Sequence, residues 1–289
     1  MYSLIVSAQT AVQHLNDPNW IFLDIQFDLM NPEAGRAAYA KTHIPNALFV
    51  DIETELSGPK TGKNGRHPLP SIENAQSLFT SLGVSKGKQV VVYDHSGNMF
   101  SARVWWMLRW LGFESVAVLD GGLAFWQKMG FPVSSGQVER PAIEQTKENF
   151  QFEPKAERLW LWQDVMSNIG KQPGIRHCLV DARAPERFSG EQEQMDPVAG
   201  HIPGANNYFW KNNLDPEGCF LPQALLREQF LSVVGQQMEN GVVHQCGSGV
   251  SACHNVLAFE LAGLGESALY AGSWSEWCAD PSRPVSRGV

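Results

Sequence analysis

Two kinds of segment alternate along the chain. Short runs that are apolar at nearly every position, "VVVYD" from Val90, "SVAVLD" from Ser115, "CLVDA" from Cys178, "GVVHQ" from Gly241 and "SALYAG" from Ser267, are separated by stretches such as "SIENAQSLFTSLG" and "LPQALLREQFLSVVG" with the apolar spacing of amphipathic helices. Strands apolar throughout are those covered on both faces, and their alternation with helices predicts parallel sheets with helices on both faces. Ser71 ahead of "IENAQSLF" predicts an N-cap, and Gly83 after "FTSL" suits the left-handed residue that ends a helix.

The pattern occurs twice. "KTHIPNALFVD" from Lys41 is echoed by "AGHIPGANNYFW" from Ala199, "QVVVYDHSGNMFSARVWWMLRWLGF" by "GVVHQCGSGVSACHNVLAFELAGLG", and "LDGGLAFW" by "YAGSWSEW". A constant offset of 151 residues pairs Gly121 with Gly272, Trp126 with Trp277, and His95 with Cys246. A repeat of this length is a whole domain. The sequence thus predicts an α/β protein of two like domains, 1–135 and 158–289. They are joined by a polar, proline-containing linker over 136–157.

Composition narrows the function. A chain of 289 residues, 43% hydrophobic, has material for two cores. Its 22 basic and 30 acidic residues give a net charge of -8, and no cluster of Lys or Arg could track a phosphate backbone, so no nucleic-acid partner is expected. No basic residue precedes the short apolar patch at the N-terminus and no apolar run is long enough to span a bilayer, so a cytoplasmic protein without a membrane partner is expected. Five widely spaced cysteines without a C-x-x-C pair argue against a disulfide framework or a structural zinc site.

One cysteine stands apart. Cys246 closes a buried strand and precedes Gly247, Ser248, Gly249, Val250 and Ser251, where a helix begins. At the carboxyl end of a parallel strand, a glycine-rich turn into a helix directs amide donors at whatever lies at its centre. A thiol there should ionise below its free value of about 8.5. Taken alone, the segment fits either a reactive thiolate or a small buried side chain at a tight turn. Comparison of the repeats favours the nucleophile, because the first copy has "YDHSGNMF" where the second has "HQCGSGVS". A tyrosine-phosphatase-like reading lacks the arginine that would close the loop on phosphate. A cysteine hydrolase needs a histidine on the sulfur; His244 and His254 are poorly placed and are read as structural. Cys253 is read as a buried helix position. Trp105, Trp106, Trp274 and Trp277 are read as core.

The duplicated domain, the two "HIP" segments, the "DGGLAFW" and "GSWSEW" endings and the "CGSGV" loop resemble the tandem-domain rhodaneses over nearly the whole chain. Within that family, the chain is similar to the branch that takes sulfur from 3-mercaptopyruvate. The resemblance implies a catalytic second domain, a first domain lacking the nucleophile, and a substrate cleft between them. It further implies a persulfide on Cys246 cradled by Gly247 to Ser251, pyruvate as product, and no metal or organic cofactor. The acceptor would be a thiol, such as thioredoxin or a small thiol, or cyanide. The resemblance makes Arg187 the holder of the donor carboxylate, a job suited to a planar guanidinium, and Arg183 a structural partner of Asp181. Ser248 would stand near the sulfur, with His67 reaching toward it, and Arg103 would either face the cleft in support or lie on a helix surface. Asp51 and Glu53 occupy the neighbouring segment without a distinguishable role.

Two features depart from the family pattern. The E-P-R arginine common in mercaptopyruvate enzymes is replaced within "EQEQMDP", and Ser251 stands where threonine is usual. The uncharged loop also differs from the C-R-K-G loop of thiosulfate-selective relatives. A thiosulfate:cyanide sulfurtransferase is the first alternative, and a non-catalytic persulfide carrier or redox module the second.

Overall fold

The computed structural model describes residues 1–140 and 150–288, so the part of the expected linker at 141–149 lies outside the described residues. The chain forms two compact units, each described by itself. The first comprises Met1–Gly58, Pro70–Lys155 and Leu214–Phe220, and the second Pro59–Leu69, Ala156–Asn213 and Leu221–Val289. These units depart from a contiguous division at 135 and 158: the first runs on through Lys155, over most of the expected linker, and two further stretches change sides. Residues 59–69, which carry Arg66 and His67, group with the second unit, and 214–220 with the first.

In the first unit, strands β1 (Ile5–Val6), β2 (Trp20–Asp24), β3 (Leu48–Phe49), β4 (Gln89–Tyr93) and β5 (Val116–Leu119) make one sheet in the order β1-β5-β4-β2-β3. Its helices are α1 (Ala8–Ala11), α2 (Glu33–Lys41), α3 (Ile72–Ser81), α4 (Ser101–Trp110) and α5 (Gly122–Lys128). In the second unit, β6 (Leu159–Trp160), β7 (Cys178–Asp181), β8 (Ala205–Asn207), β9 (Val242–Gln245) and β10 (Ala268–Tyr270) repeat the topology as β6-β10-β9-β7-β8. Its helices are α6 (Trp162–Ile169), α7 (Pro185–Ser189), α8 (Gln223–Val234), α9 (Ser251–Leu261) and α10 (Ser273–Trp277). All the strand pairings are parallel.

The central strands β4 and β9 are buried at every position, as strands covered on both faces must be. Ser71 caps α3, its Oγ accepting from the Asn74 amide at 3.2 Å, and Gly83 ends it at φ +85°. Trp105, Trp106, Trp274 and Trp277 are wholly buried. The duplication extends to single bonds. Trp126 Nε1 donates to the Pro132 carbonyl and Trp277 Nε1 to that of Pro284, both at 2.8 Å. His43 stacks on Tyr39, and His201 on Phe188.

Every residue of α4 is buried, Arg103 among them at 0% exposure, so the helix-surface role considered for Arg103 is wrong. Its Nη2 donates to the Leu56 carbonyl at 3.0 Å, and it serves the packing of the first unit. Among the described residues no helix is long and apolar enough to cross a membrane.

Candidate functional site

The turn from β9 into α9 is fixed from beneath by the start of α10. The Cys246 amide donates to Ser273 Oγ at 3.0 Å, and the carbonyls of Cys246 and Gly247 accept the amides of Trp274 and Ser275 at 3.0 and 2.9 Å. Gly249 has φ +74°, and a Cβ there would lie 2.1 Å from the Ala271 carbonyl oxygen, so only glycine fits. With those two carbonyls turned toward α10, the loop's amide hydrogens are what remains. No acceptor among the described residues takes those of Gly247, Ser248, Val250 or Ser251, although 246–250 are buried. Buried N–H groups without partners are rare in folded proteins, and a run of them makes an anion-binding concavity. Cys246 begins this run and is itself 1% exposed.

The first unit shows what such a loop does with an anion. Asp94, just past the end of β4, accepts the amides of Ser96 and Asn98 on one carboxylate oxygen at 2.6 and 2.9 Å. Its other oxygen accepts Phe100 and Ser101, each at 2.8 Å. The loop there is filled from within. At the equivalent position the second unit has Gln245, neutral and buried, whose side-chain nitrogen and oxygen both lack partners among the described residues.

Ser273 was missed in the sequence, though a signal was there: "AGSW" has serine where "DGGL" has glycine. Gly122 takes φ +56° without cost, whereas Ser273 holds φ +54°, a conformation that strains a residue with a Cβ. Its hydroxyl accepts the Cys246 amide and donates to the Tyr270 carbonyl at 2.9 Å, which accounts for a strained serine here.

Around the loop, His67 Nδ1 lies 2.8 Å from Ser248 Oγ, with both residues buried, so these two expected site residues are brought together. Arg187 Nε and Nη2 engage Glu193 at 3.2 and 3.0 Å, and Nη2 also reaches Asp196 at 3.0 Å. Burial pushes the Glu193 carboxyl upward, but the Met195 amide and the Arg187 guanidinium hold it below the ordinary range. Arg183 is 3% exposed and binds both Asp181 oxygens and the Gly200 carbonyl, a structural pairing. Arg66 joins Asp196 through Nη1 and was also missed, although it stands beside His67 in "GRHPLP". Glu193 and Asp196 lie in the segment where sequence reasoning noted only a lost arginine.

The other sulfur and imidazole groups play no such part. Burial pushes the Cys178 thiol up, and Cys219 and Cys278 up to about 12 and about 11, burial leading in each case with nearby acids adding for the last two. Cys253 is buried in α9 with its Sγ 3.3 Å from the Gly249 carbonyl oxygen. Burial holds His244 neutral, with its pKa lowered to about 3, and His254 is engaged by Asn213 in the core. A surface hollow of about 790 Å³ in the first unit, lined by Arg36, Tyr39, Phe49, Glu55 and Arg140, contains no nucleophile. Among the described residues no group of three or more His, Cys, Asp or Glu could hold a metal.

A duplicated parallel α/β unit with a cysteine at an amide-lined strand–loop–helix turn in its second copy defines a class of tandem-domain α/β proteins. The chain belongs to the rhodanese family. The model of the Rhodanese-like domain matches residues 7–129 and 161–280. A protein of Pseudomonas aeruginosa named "Probable 3-mercaptopyruvate sulfurtransferase" is 42% identical over 287 residues, 98% of each chain. The "Thiosulfate sulfurtransferase" of Bos taurus is 36% identical over 228 residues, covering 76% of this chain and 73% of its own. The crystal structure of a 3-mercaptopyruvate sulfotransferase from Escherichia coli superposes with a TM-score of 0.78 at 32% identity, covering 94% of this chain and 99% of that one.

Proposed function

We propose that the protein is a sulfurtransferase that moves sulfur from 3-mercaptopyruvate through a persulfide on Cys246 to a thiol or cyanide. The Cys246 thiolate attacks the donor's sulfur, the S–S bond forms as the C–S bond breaks, and the bonding pair leaves on pyruvate as its enolate, which then takes a proton. An acceptor thiolate attacks the outer sulfur and returns Cys246 as thiolate. The loop of Gly247 to Ser251 stabilises the negative sulfur species with fixed amide donors, in the manner of an oxyanion hole. Arg187 grips the donor carboxylate, and Ser248, oriented by His67, hydrogen-bonds the reacting sulfur or the enolate oxygen. Arg103, buried in α4, supports the first unit through the Leu56 carbonyl.

The observation that carries this reading is the set of buried, unclaimed loop amides after Cys246, set against the equivalent loop that Asp94 fills. The test is intact-protein mass after exposure to mercaptopyruvate alone. One added sulfur on the wild type and none on Cys246→Ser supports it; no added sulfur on the wild type refutes it. The bovine relative's name makes thiosulfate the competing donor, and the uncharged loop favours a monoanion over a dianion. Turnover with the two donors at equal enzyme concentration separates them.

A further inference from the structure

We infer that Arg66 is a second carboxylate-binding residue, closing on the donor together with Arg187 over Gly247 and standing in for the arginine missing from "EQEQMDP". This rests on the reading of Cys246 as the reactive centre. A methyl carbon placed on Gly247 would lie 2.8 Å from Arg66 Nη2 and 3.3 Å from Arg187 Nη1, so two guanidiniums from distant parts of the sequence converge on the residue that follows the nucleophile. Each is held at nitrogens that do not face the loop, Arg66 through Nη1 alone. Arg66 Nη1 and Arg187 Nη2 share the carboxylate of Asp196, and Glu193 takes Nε and Nη2 of Arg187. The nitrogens that face Gly247, Nη2 of Arg66 and Nη1 of Arg187, have no acceptor among the described residues.

The acids behind and the arginines in front differ in accessibility. The side chains of Glu193 and Asp196 are 3% and 2% exposed, whereas those of Arg187 and Arg66 are 23% and 26% exposed, so a solute reaches the guanidiniums and not their counter-ions. Asp196 therefore orients both cations without occupying the nitrogens that face the loop. A planar carboxylate between two such donors makes two charge-assisted hydrogen bonds, one from each fork. The backbone assists, since the Arg66 amide donates to Ser275 Oγ at 3.0 Å and so ties its strand of chain to α10 beneath the loop. A 2-oxo acid with a three-carbon skeleton is the ligand chemistry this arrangement suits: carboxylate on the paired arginines and C3 substituent toward Cys246.

The test uses covalent labelling, which does not require sulfur transfer. 3-Bromopyruvate and bromoacetone deliver the same electrophilic carbon to Cys246, with and without a carboxylate, and peptide mass mapping against Cys246→Ser assigns the label. The wild type should favour bromopyruvate, and Arg66→Gln should lower the ratio of the two rates by roughly 10-fold or more, the worth of a charged hydrogen bond. Arg187→Gln should do the same, and Arg66→Lys, keeping the charge but not the fork, should fall between. A ratio unchanged in Arg66→Gln, or both rates falling together, overturns the inference. If Arg66→Gln fails to fold, the ratio in Arg66→Lys decides the question. Failure of mercaptopyruvate to load sulfur on the wild type would refute the sulfurtransferase reading while leaving this ratio to decide the carboxylate site.

Discussion

Asp94 and Gln245 occupy equivalent positions at the ends of the central strands, and only Asp94 sends a carboxylate into its loop, where four amides bind it. Gln245 is buried without side-chain partners, and the amides of Gly247, Ser248, Val250 and Ser251 stay unclaimed among the described residues, as the proposed persulfide chemistry requires. Gln245→Asp should therefore plug the second loop from within. Loss of the amide donors to an internal carboxylate should cut persulfide formation on Cys246 by about 100-fold or more, judged from the worth of a single oxyanion-hole donor. The check is the rate of sulfur loading, with circular dichroism to establish that the fold is kept. Loading at the wild-type rate in a folded variant would contradict the role given to the loop.

The converse change acts on stability. Asp94→Ala strands four amides that now bond a carboxylate, of which those of Asn98, Phe100 and Ser101 lie in wholly or nearly buried residues. The cost should be about 3 kcal/mol or more, since buried donors bonded to a charge are left without partners. Urea denaturation followed by tryptophan fluorescence measures it. Sulfur loading on Cys246 should persist wherever the variant remains folded.

A second substitution between the repeats has a pH signature. Asp181 is paired by Arg183, but its counterpart Asp24 has Gln26 instead, which donates its amide and its side chain at 2.9 Å. Burial, only partly offset by the hydrogen bonds from Gln26 and Tyr93 and reinforced by the charge of Asp94, pushes the Asp24 carboxyl up from 3.8 to about 7. Between about pH 4 and pH 7 the folded protein thus keeps a proton that the unfolded chain releases. Stability should fall as pH rises through that window, by up to about 4 kcal/mol, and be flat with respect to this group on either side. Asp24→Asn should remove this part of the slope. Denaturation midpoints at pH 5, 6, 7 and 8 test it, and a wild type and variant with parallel profiles would rule it out.

What the sequence made legible was local or periodic. The apolar runs mark the central strands, Ser71 marks its cap, and the 151-residue offset sets His95 against Cys246. What stayed hidden depends on chain segments meeting. Arg66 and Asp196 are 130 residues apart in sequence, in stretches without periodicity, so nothing local announces their pairing. Arg103 looked like a surface residue because arginine is almost never fully buried, yet α4 is covered on all sides. The acids of "EQEQMDP" were noticed only as a missing arginine, because a cation-orienting role appears only when the cations are in place. Segments 59–69 and 214–220 carry no apolar pattern that would assign them to one unit or the other.

The hydrogen bond between His67 and Ser248 bears on the chemical step. Ser248 Oγ lies two residues from Cys246 in the chain and 2.8 Å from His67 Nδ1, and both partners are buried, so the hydroxyl is held in one orientation. On the proposed mechanism, a hydroxyl fixed two residues after Cys246 matters most when charge moves from sulfur to the enolate oxygen, and less when the donor first binds through its carboxylate. Ser248→Ala should lower kcat for pyruvate release by roughly 10- to 100-fold, in the lower range of general acid–base contributions, with a small change in KM. His67→Gln should reduce kcat in the same direction by removing the orienting partner. Because the two residues act through one hydrogen bond, the double variant should be little worse than Ser248→Ala alone. Single-turnover pyruvate formation by the wild type, both single variants and the double variant measures the coupling. Fully additive losses would mean that His67 acts independently of Ser248, and an effect confined to KM would mean that the pair binds the donor without assisting the bond exchange.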